Sequence, residues 1–215
     1  MTPYQTSEAT LALCQMAPVI PVLVIRDPAH AAPLARALVA GGLPVLEVTL
    51  RTPAALEVMA EMARVEGAVV GAGTVLSPAD VRAVQGAGAV FAVSPGATDR
   101  LLSACEERAL PLLPGAATAT EAMRLLERGY TMQKFFPAEV AGGTAALRAL
   151  ASPLPQIGFC PTGGIGPANA ADYLALPNVT CVGGSWVAPA NLIAAGDWDG
   201  IKALARTAAN LPRPA

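Results

Sequence analysis

The sequence predicts an α/β chain folded as a (β/α)8 barrel, the TIM-barrel class, with one helix ahead of the first strand. Three observations predict it. Eight short apolar runs alternate with longer stretches whose apolar residues recur at helical spacing. The short runs are nearly continuous in apolar residues and alternate with helices, the pattern of a parallel sheet covered on its outer face. The residues that close them, Arg26, Arg51, Gly73, Gly96, Gly115, Pro137, Gly163 and Gly184, fall 19 to 26 residues apart, a regular strand–helix interval.

The elements follow in order. A helix over residues 5–16 precedes the first strand, VIPVLVI (19–25). HAAPLARALVAGG then reads as a helix that stops on glycine. PVLEVTL (44–50) is the second strand, followed by the helical PAALEVMAEMARVEG. AVVGAGTV (68–75), AVFAVS (89–94), ALPLLP (109–114) and MQKFFP (132–137) are the third to sixth strands, and IGFCPT (157–162) and VTCVGG (179–184) the last two. No linker or low-complexity stretch interrupts the series, so the 215 residues read as one domain. The tail LPRPA (211–215) carries no signal for a regular element. A dinucleotide-binding fold is disfavoured, because Gly71-Ala72-Gly73 lacks the third glycine of that fingerprint.

Composition narrows the function. The chain is 53% hydrophobic and 14% charged, which predicts a large core and a surface partly used in self-association. A net charge of −2 gives no reason to expect nucleic acid or a membrane surface as partner. No apolar run has the length of a membrane helix, and MTPYQTSEATLALCQ lacks the basic and apolar regions of a signal peptide. Cys14, Cys105, Cys160 and Cys181 show no metal-site spacing and read as buried thiols in a reducing cytosol. The one histidine, His30, reads as a surface or helix-start residue.

Chemistry in such a fold gathers at the C-terminal strand ends. The polar residues there are Arg26, Glu47, Thr49, Arg51, Thr74, Ser94, Lys134, Thr162 and Ser185. Lys134 stands out because the chain has only two lysines, and this one lies in an apolar strand. Strand residues alternate between faces, so Glu47, Thr49 and Arg51 share one face, and Met132, Lys134 and Phe136 share another. If both faces point inward, Lys134 meets Glu47. The pair has a structural reading, a buried ion pair, and a functional one, covalent catalysis on a carbonyl. A lysine attacks a ketone only as the neutral amine, a form favoured by burial and by nearby cations. A carboxylate beside it can shuttle protons, and Arg51 offers a planar fork suited to a substrate carboxylate. PTGGIG (161–166) and VGGSW (182–186), at the ends of adjacent strands, predict a phosphate site. Phosphate, carboxylate clamp and amine together describe a phosphorylated 2-keto acid.

LEVTLRT (46–52), VGAGTVL (70–76), FAVSPG (91–96), KFFPAE (134–139), FCPTGGI (159–165) and VGGSW (182–186) resemble the 2-keto-3-deoxy-6-phosphogluconate aldolase family over nearly the whole chain. The resemblance implies a class I aldolase of the Entner–Doudoroff pathway that cleaves its substrate to pyruvate and glyceraldehyde 3-phosphate. It implies Lys134 as Schiff-base lysine and Glu47 as general acid/base. Arg51, Thr74 and Thr162 would hold the pyruvyl end. Gly163, Gly164, Gly184 and Ser185 would hold the phosphate, and Pro95 and Phe136 would shape the pocket. Arg26 would reach the carboxylate or stand at the rim. The resemblance further implies a cytoplasmic homotrimer with no metal and no organic cofactor. Thr162 resembles the gluconate enzyme rather than its galactonate-specific relative. Cleavage of 4-hydroxy-2-oxoglutarate stays open as a second activity. Two other classes compete on residue chemistry: a phosphosugar isomerase or epimerase using paired carboxylates or a cysteine, and a non-catalytic sugar-phosphate binder.

Overall fold

The computed structural model describes residues 1–212; the last three residues of the LPRPA tail lie outside the described residues. Helices and parallel strands alternate along the chain, in the order α1 (Pro3–Gln15), β1 (Val19–Leu23), a short 3-10 turn (Pro28–His30), α2 (Ala31–Ala40), β2 (Val45–Thr49), α3 (Ala55–Met62), β3 (Val69–Gly73), α4 (Pro78–Gly86), β4 (Phe91–Val93) and α5 (Asp99–Glu107). There follow β5 (Leu112–Leu113), β6 (Gly115–Ala116), α6 (Ala119–Arg128), β7 (Met132–Phe135), α7 (Gly143–Ala151), β8 (Gly158–Pro161), α8 (Ala170–Leu174), β9 (Val182–Gly184), α9 (Ala190–Ala195) and α10 (Trp198–Ala209). Each strand run expected from the sequence holds a strand, and each strand is shorter than its run.

The strands form a half-barrel of parallel sheet. Six pair in the order β5-β4-β3-β2-β1-β9, and three more in the order β6-β7-β8. The first and last strands are neighbours, with Val19 opposite Val182. Isolated parallel bridges, Phe159 with Val179 and Thr162 with Gly183, join β8 to the β9 segment. The fifth expected strand is broken at Pro114, which has no N–H to give a ladder. The residues before it pair with β4, and those after it pair with β7. The Pro114 carbonyl still accepts the Lys134 N–H at 2.8 Å, so the break ties the two halves together where Lys134 sits.

Alternation sorts the side chains into two cores. Leu46, Val48, Ala72, Ala92, Leu112, Phe135 and Phe159 point outward and pack with Leu34, Leu38, Val58, Met59 and Val81 of the helices. Burying each Leu, Val, Met or Phe there contributes about 1.5–3 kcal/mol. A second, inner cluster holds Ile20, Val45, Phe91, Val93, Leu113, Met132, Cys160 and Cys181, with Cys14 of α1 packed against them. α1 thereby covers the N-terminal end of the inner face. Ser7 fixes it there: its hydroxyl donates to the Gly129 carbonyl at 3.3 Å and accepts the Thr131 N–H at 2.9 Å. The polar inner residues are left at the opposite, C-terminal end.

Several helix starts carry side-chain caps. Ser77 precedes Pro78 at the start of α4, and Thr118 opens α6 with a reciprocal capping box to Glu121. The Glu121 carboxylate accepts the N–H groups of Ala117 and Thr118 at 2.8 and 2.9 Å. These bonds, the Ala117 one first, hold its carboxyl below the ordinary carboxylate range. A depressed folded value gives stability that is fully present above the unfolded glutamate range, about pH 4.3, and fades as pH falls through the folded value. Thermal melts of wild type and Glu121→Gln should therefore differ at neutral pH and converge in acid.

All four cysteines are buried and unpaired. His30 ends the 3-10 turn at the start of α2, with its ring 5.8 Å from that of Trp198, so the helix-start expectation holds. Among the described residues no helix is long and apolar enough to cross a membrane.

Candidate active site

Glu47 is carried inward at the middle of β2, between the outward Leu46 and Val48. Lys134 is carried inward by β7, between Gln133 and Phe135. The two side chains meet across the inner face, with Lys134 Nζ 3.2 Å from Glu47 Oε1. Both residues are buried, at 4% and 3% exposure. Among the described residues Glu47 is the only buried carboxylate and Lys134 the only buried cation. Lys134 Nζ also stands 5.4 Å from the centre of the Phe136 ring, a cation–π distance.

Glycines make room for this pair. A β-carbon on Gly73 would lie 2.2 Å from Glu47 Oε1, and one on Gly71 would lie 2.3 Å from the Phe91 ring. The two glycines of VGAGTV therefore face inward, one receiving the Glu47 carboxylate and the other the aromatic floor beneath it. Gly115, opposite Lys134 in the ladder, lies under the Pro95 backbone in the same way. Pro95 is thus held beside the Lys134 strand.

The chain past β2 turns sharply. Thr49 and Thr52 hydroxyls donate to the Leu23 and Ile25 carbonyls at 2.8 and 2.6 Å, tying this segment to the end of β1. Arg51 lies between them, exposed, and its Nε donates to Thr74 Oγ1 at 3.4 Å. Thr74 has φ 62°, in the left-handed region. A β-branched residue there costs on the order of 1–3 kcal/mol and persists only when its surroundings demand it. That strain sits directly after Gly73, where Thr74 meets Arg51. Arg26 is exposed, three residues beyond the end of β1. Neither arginine is in an ion pair among the described residues.

At the opposite side of the opening, Thr162 follows β8. Its Oγ1 is buried without a hydrogen-bond partner among the described residues. Gly183 accommodates it: a β-carbon there would lie 2.2 Å from Thr162 Oγ1. Gly163 and Gly164 have φ 104° and 79°. Their N–H groups donate to no protein group among the described residues. Gly184 is buried against the Trp186 ring, and Ser185 is exposed beside it. Phe136 links the two sides, since Gly163 packs against its ring.

Of the residues expected from the sequence, Arg51 meets Thr74, Glu47 meets Lys134, Lys134 meets Phe136 and Phe136 meets Gly163, while Gly73 and Gly183, not among those expected, make room for Glu47 and Thr162. Arg26 and Ser185 stand at the rim. In the sequence Gly73 and Gly115 stand as strand ends, and Gly73 also belongs to the VGAGTVL motif; that Gly71 and Gly73 make room for side chains on the inner face is seen only in the structure. Sequence reading assigned nothing to Asn169 or Tyr173, which carry no motif of their own.

A family model described as KDPG and KHG aldolase matches residues 11–204. This chain belongs to that family. The aldolase from Pseudoalteromonas atlantica named 2-dehydro-3-deoxy-phosphogluconate aldolase is 54% identical over 192 residues, 89% of this chain and 89% of its own. The crystal structure of the 2-keto-3-deoxy-6-phosphogluconate aldolase of Zymomonas mobilis ZM4 with 3-phosphoglycerate is similar at a TM-score of 0.89 and 51% identity, covering 94% of this chain and 95% of that one. The KDPG aldolase of Legionella pneumophila, with pyruvate captured as a covalent carbinolamine, is similar at a TM-score of 0.90 and 46% identity over 93% and 98% of the two chains. The strand-borne inner face of this KDPG/KHG family member is the frame on which its lysine and glutamate meet.

Proposed function

We infer that this chain is a class I aldolase, a carbon–carbon lyase that cleaves 2-dehydro-3-deoxy-6-phospho-D-gluconate to pyruvate and D-glyceraldehyde 3-phosphate in the Entner–Doudoroff pathway. The observation that carries the reading is the buried Lys134–Glu47 pair at 3.2 Å, in a family whose Legionella member captured pyruvate as a carbinolamine.

In this reading the Lys134 ammonium passes a proton to Glu47, and the neutral Nζ attacks the C2 ketone; its proton moves to the alkoxide, forming the carbinolamine. Glu47 gives a proton to the departing hydroxyl, water leaves, and the iminium remains. Glu47, now a carboxylate, takes the proton of the C4 hydroxyl. The C3–C4 bond breaks, its electrons pass into the iminium as an enamine, and glyceraldehyde 3-phosphate departs. Glu47 returns that proton to C3 of the enamine, and water hydrolyses the resulting iminium to release pyruvate and Lys134. Arg51 receives the pyruvyl carboxylate, and its tie to Thr74 sets the angle of the guanidinium. Thr162 Oγ1, which has no protein partner among the described residues, turns to a substrate oxygen near the cleaved bond. Its hydroxyl favours the gluconate over the galactonate epimer. The Gly163 and Gly164 N–H groups, with Gly184 and Ser185, hold the phosphate, a use of backbone donors to gather an anion. Pro95 and Phe136 wall the pocket, and Arg26 at the rim draws in the anionic substrate.

The same residues serve 4-hydroxy-2-oxoglutarate, whose cleavage needs the lysine and the carboxylate clamp but no phosphate site. The paired-carboxylate form of the isomerase reading loses ground because Glu47 has no second buried carboxylate beside it among the described residues. The pairing of β1 with β9, the bridges at Thr162 and the split at Pro114 support a closed eight-stranded barrel acting as one domain. A cytoplasmic homotrimer fits the four unpaired thiols and the exposed apolar residues Leu76, Val90 and Val140, the last 85% exposed. The reaction as written uses no metal or organic cofactor.

The test is borohydride trapping. Incubation with pyruvate followed by borohydride should leave a single pyruvate-sized adduct on the peptide carrying Lys134. A folded protein that gains no adduct would overturn the covalent mechanism.

A further inference from the structure

The Gly163–Gly164 turn has no side chains of its own to hold its shape, yet its two peptides are left-handed and nearly every other polar group around them is committed. The Thr162 carbonyl accepts the Ala138 N–H at 2.8 Å, and the Gly163 carbonyl accepts the Glu139 N–H at 3.1 Å. The Gly164 carbonyl accepts Asn169 Nδ2 at 3.2 Å, while Asn169 Oδ1 accepts the Gly166 N–H at 2.8 Å. Three successive carbonyls are thus drawn to donors from outside the turn, and the Gly163 and Gly164 N–H groups stay uncommitted. Asn169 bridges both ends of the following loop with one amide.

Glu139 braces the same turn from the other side. Its stem lies so close to Gly164 that a β-carbon there would meet Glu139 Cγ at 2.5 Å and Cβ at 2.7 Å. Its carboxylate does not face the turn. Oε1 accepts the hydroxyl of Tyr173, a fully buried residue of α8. Burial first, and then the bond to Glu139, push the Tyr173 phenol well above its ordinary range, so it remains a donor. The negative charge of Glu139 is thereby anchored on the helix while its carbon stem presses on Gly164.

We propose that Glu139 and Asn169 are positioning residues, which hold the Gly163–Gly164 turn so that its free N–H groups converge on the substrate phosphate. The proposal rests on the phosphate assignment made above. Neither side chain touches the reacting atoms. The Lys134–Glu47 chemistry on pyruvate is therefore independent of them, and the effect falls on recognition of the phosphorylated substrate.

The experiment measures KM and kcat for 2-dehydro-3-deoxy-6-phosphogluconate, competitive inhibition by inorganic phosphate, and the rate of pyruvate trapping by borohydride. Wild type is compared with Glu139→Ala, Asn169→Ala and the conservative Glu139→Gln, which keeps the stem and an acceptor for Tyr173. Each alanine variant should raise KM, and the inhibition constant for phosphate, about tenfold, with kcat and pyruvate trapping within about twofold of wild type. Glu139→Gln should restore KM. The proposal is overturned if KM and phosphate inhibition do not move, or if pyruvate trapping falls in step with them. Absence of phosphate inhibition in wild type would instead remove the phosphate assignment itself. Glu139→Gln tests the brace even if an alanine variant folds poorly.

Discussion

Lys134→Met should abolish cleavage, with kcat falling about 10⁵-fold or more, because no other side chain can supply the amine that becomes the iminium. Lys134→Arg should be as inactive. It preserves the positive charge beside Glu47 but offers no nucleophile. That variant separates the classes of mechanism, since an isomerase or a binder that needs only charge would keep much of its function with arginine. Measurable cleavage by Lys134→Arg would sink the aldolase reading. The methionine variant carries a second expected effect. Glu47, 3% exposed, would be left with no countercharge in an apolar surround. Removing one member of a buried pair costs about 3–5 kcal/mol. Glu47→Gln combined with Lys134→Met should recover most of that loss in a denaturant melt and none of the activity. Stability and chemistry at this pair can thus be read apart.

The second large effect is expected at a residue with no functional group. Gly73→Ala should lower kcat about 10²-fold, the cost of displacing a catalytic group by about an ångström. The new β-carbon would overlap Glu47 Oε1, Cγ and Cδ, at 2.2, 2.8 and 2.9 Å. Glu47 must then swing away from Lys134. The adduct with pyruvate should still form, more slowly, because Lys134 is untouched. Gly71→Ala is the control. Its β-carbon strikes the Phe91 ring instead, so it should lose stability while the folded fraction keeps its kcat. Equal kcat in Gly73→Ala and wild type would mean that the observed position of Glu47 is not the working one.

Much of the site was legible in the chain because strands impose a period of two. Alternation puts Glu47 opposite in phase to Leu46 and Val48, and Lys134 in phase with Met132; the structure turns both of those faces inward. The glycines of PTGGIG pointed to a backbone-lined turn, and Gly163 and Gly164 there are left-handed, whereas Gly183 and Gly184 of VGGSW lie in β9. The left-handed Thr74 was not legible, because a β-branched residue is the last that local preference would put there. Its conformation follows from the turn that delivers Thr74 to Arg51. Pro114 was visible, but that it divides a strand between two neighbours depends on which residues lie beside it.

The sequence by itself determined the alternation of strands and helices, the strand phase of the catalytic candidates and, through its motifs, the family. These depend on local periodicity and on residue chemistry, which are properties of short segments. Tertiary structure alone decided the distances: that Lys134 lies 3.2 Å from Glu47, that Gly73 exists to seat a carboxylate, and that Tyr173 reaches back to Glu139 across 34 positions of chain. Such contacts join residues far apart in sequence, and their geometry depends on ladder register and helix packing, which no short segment encodes.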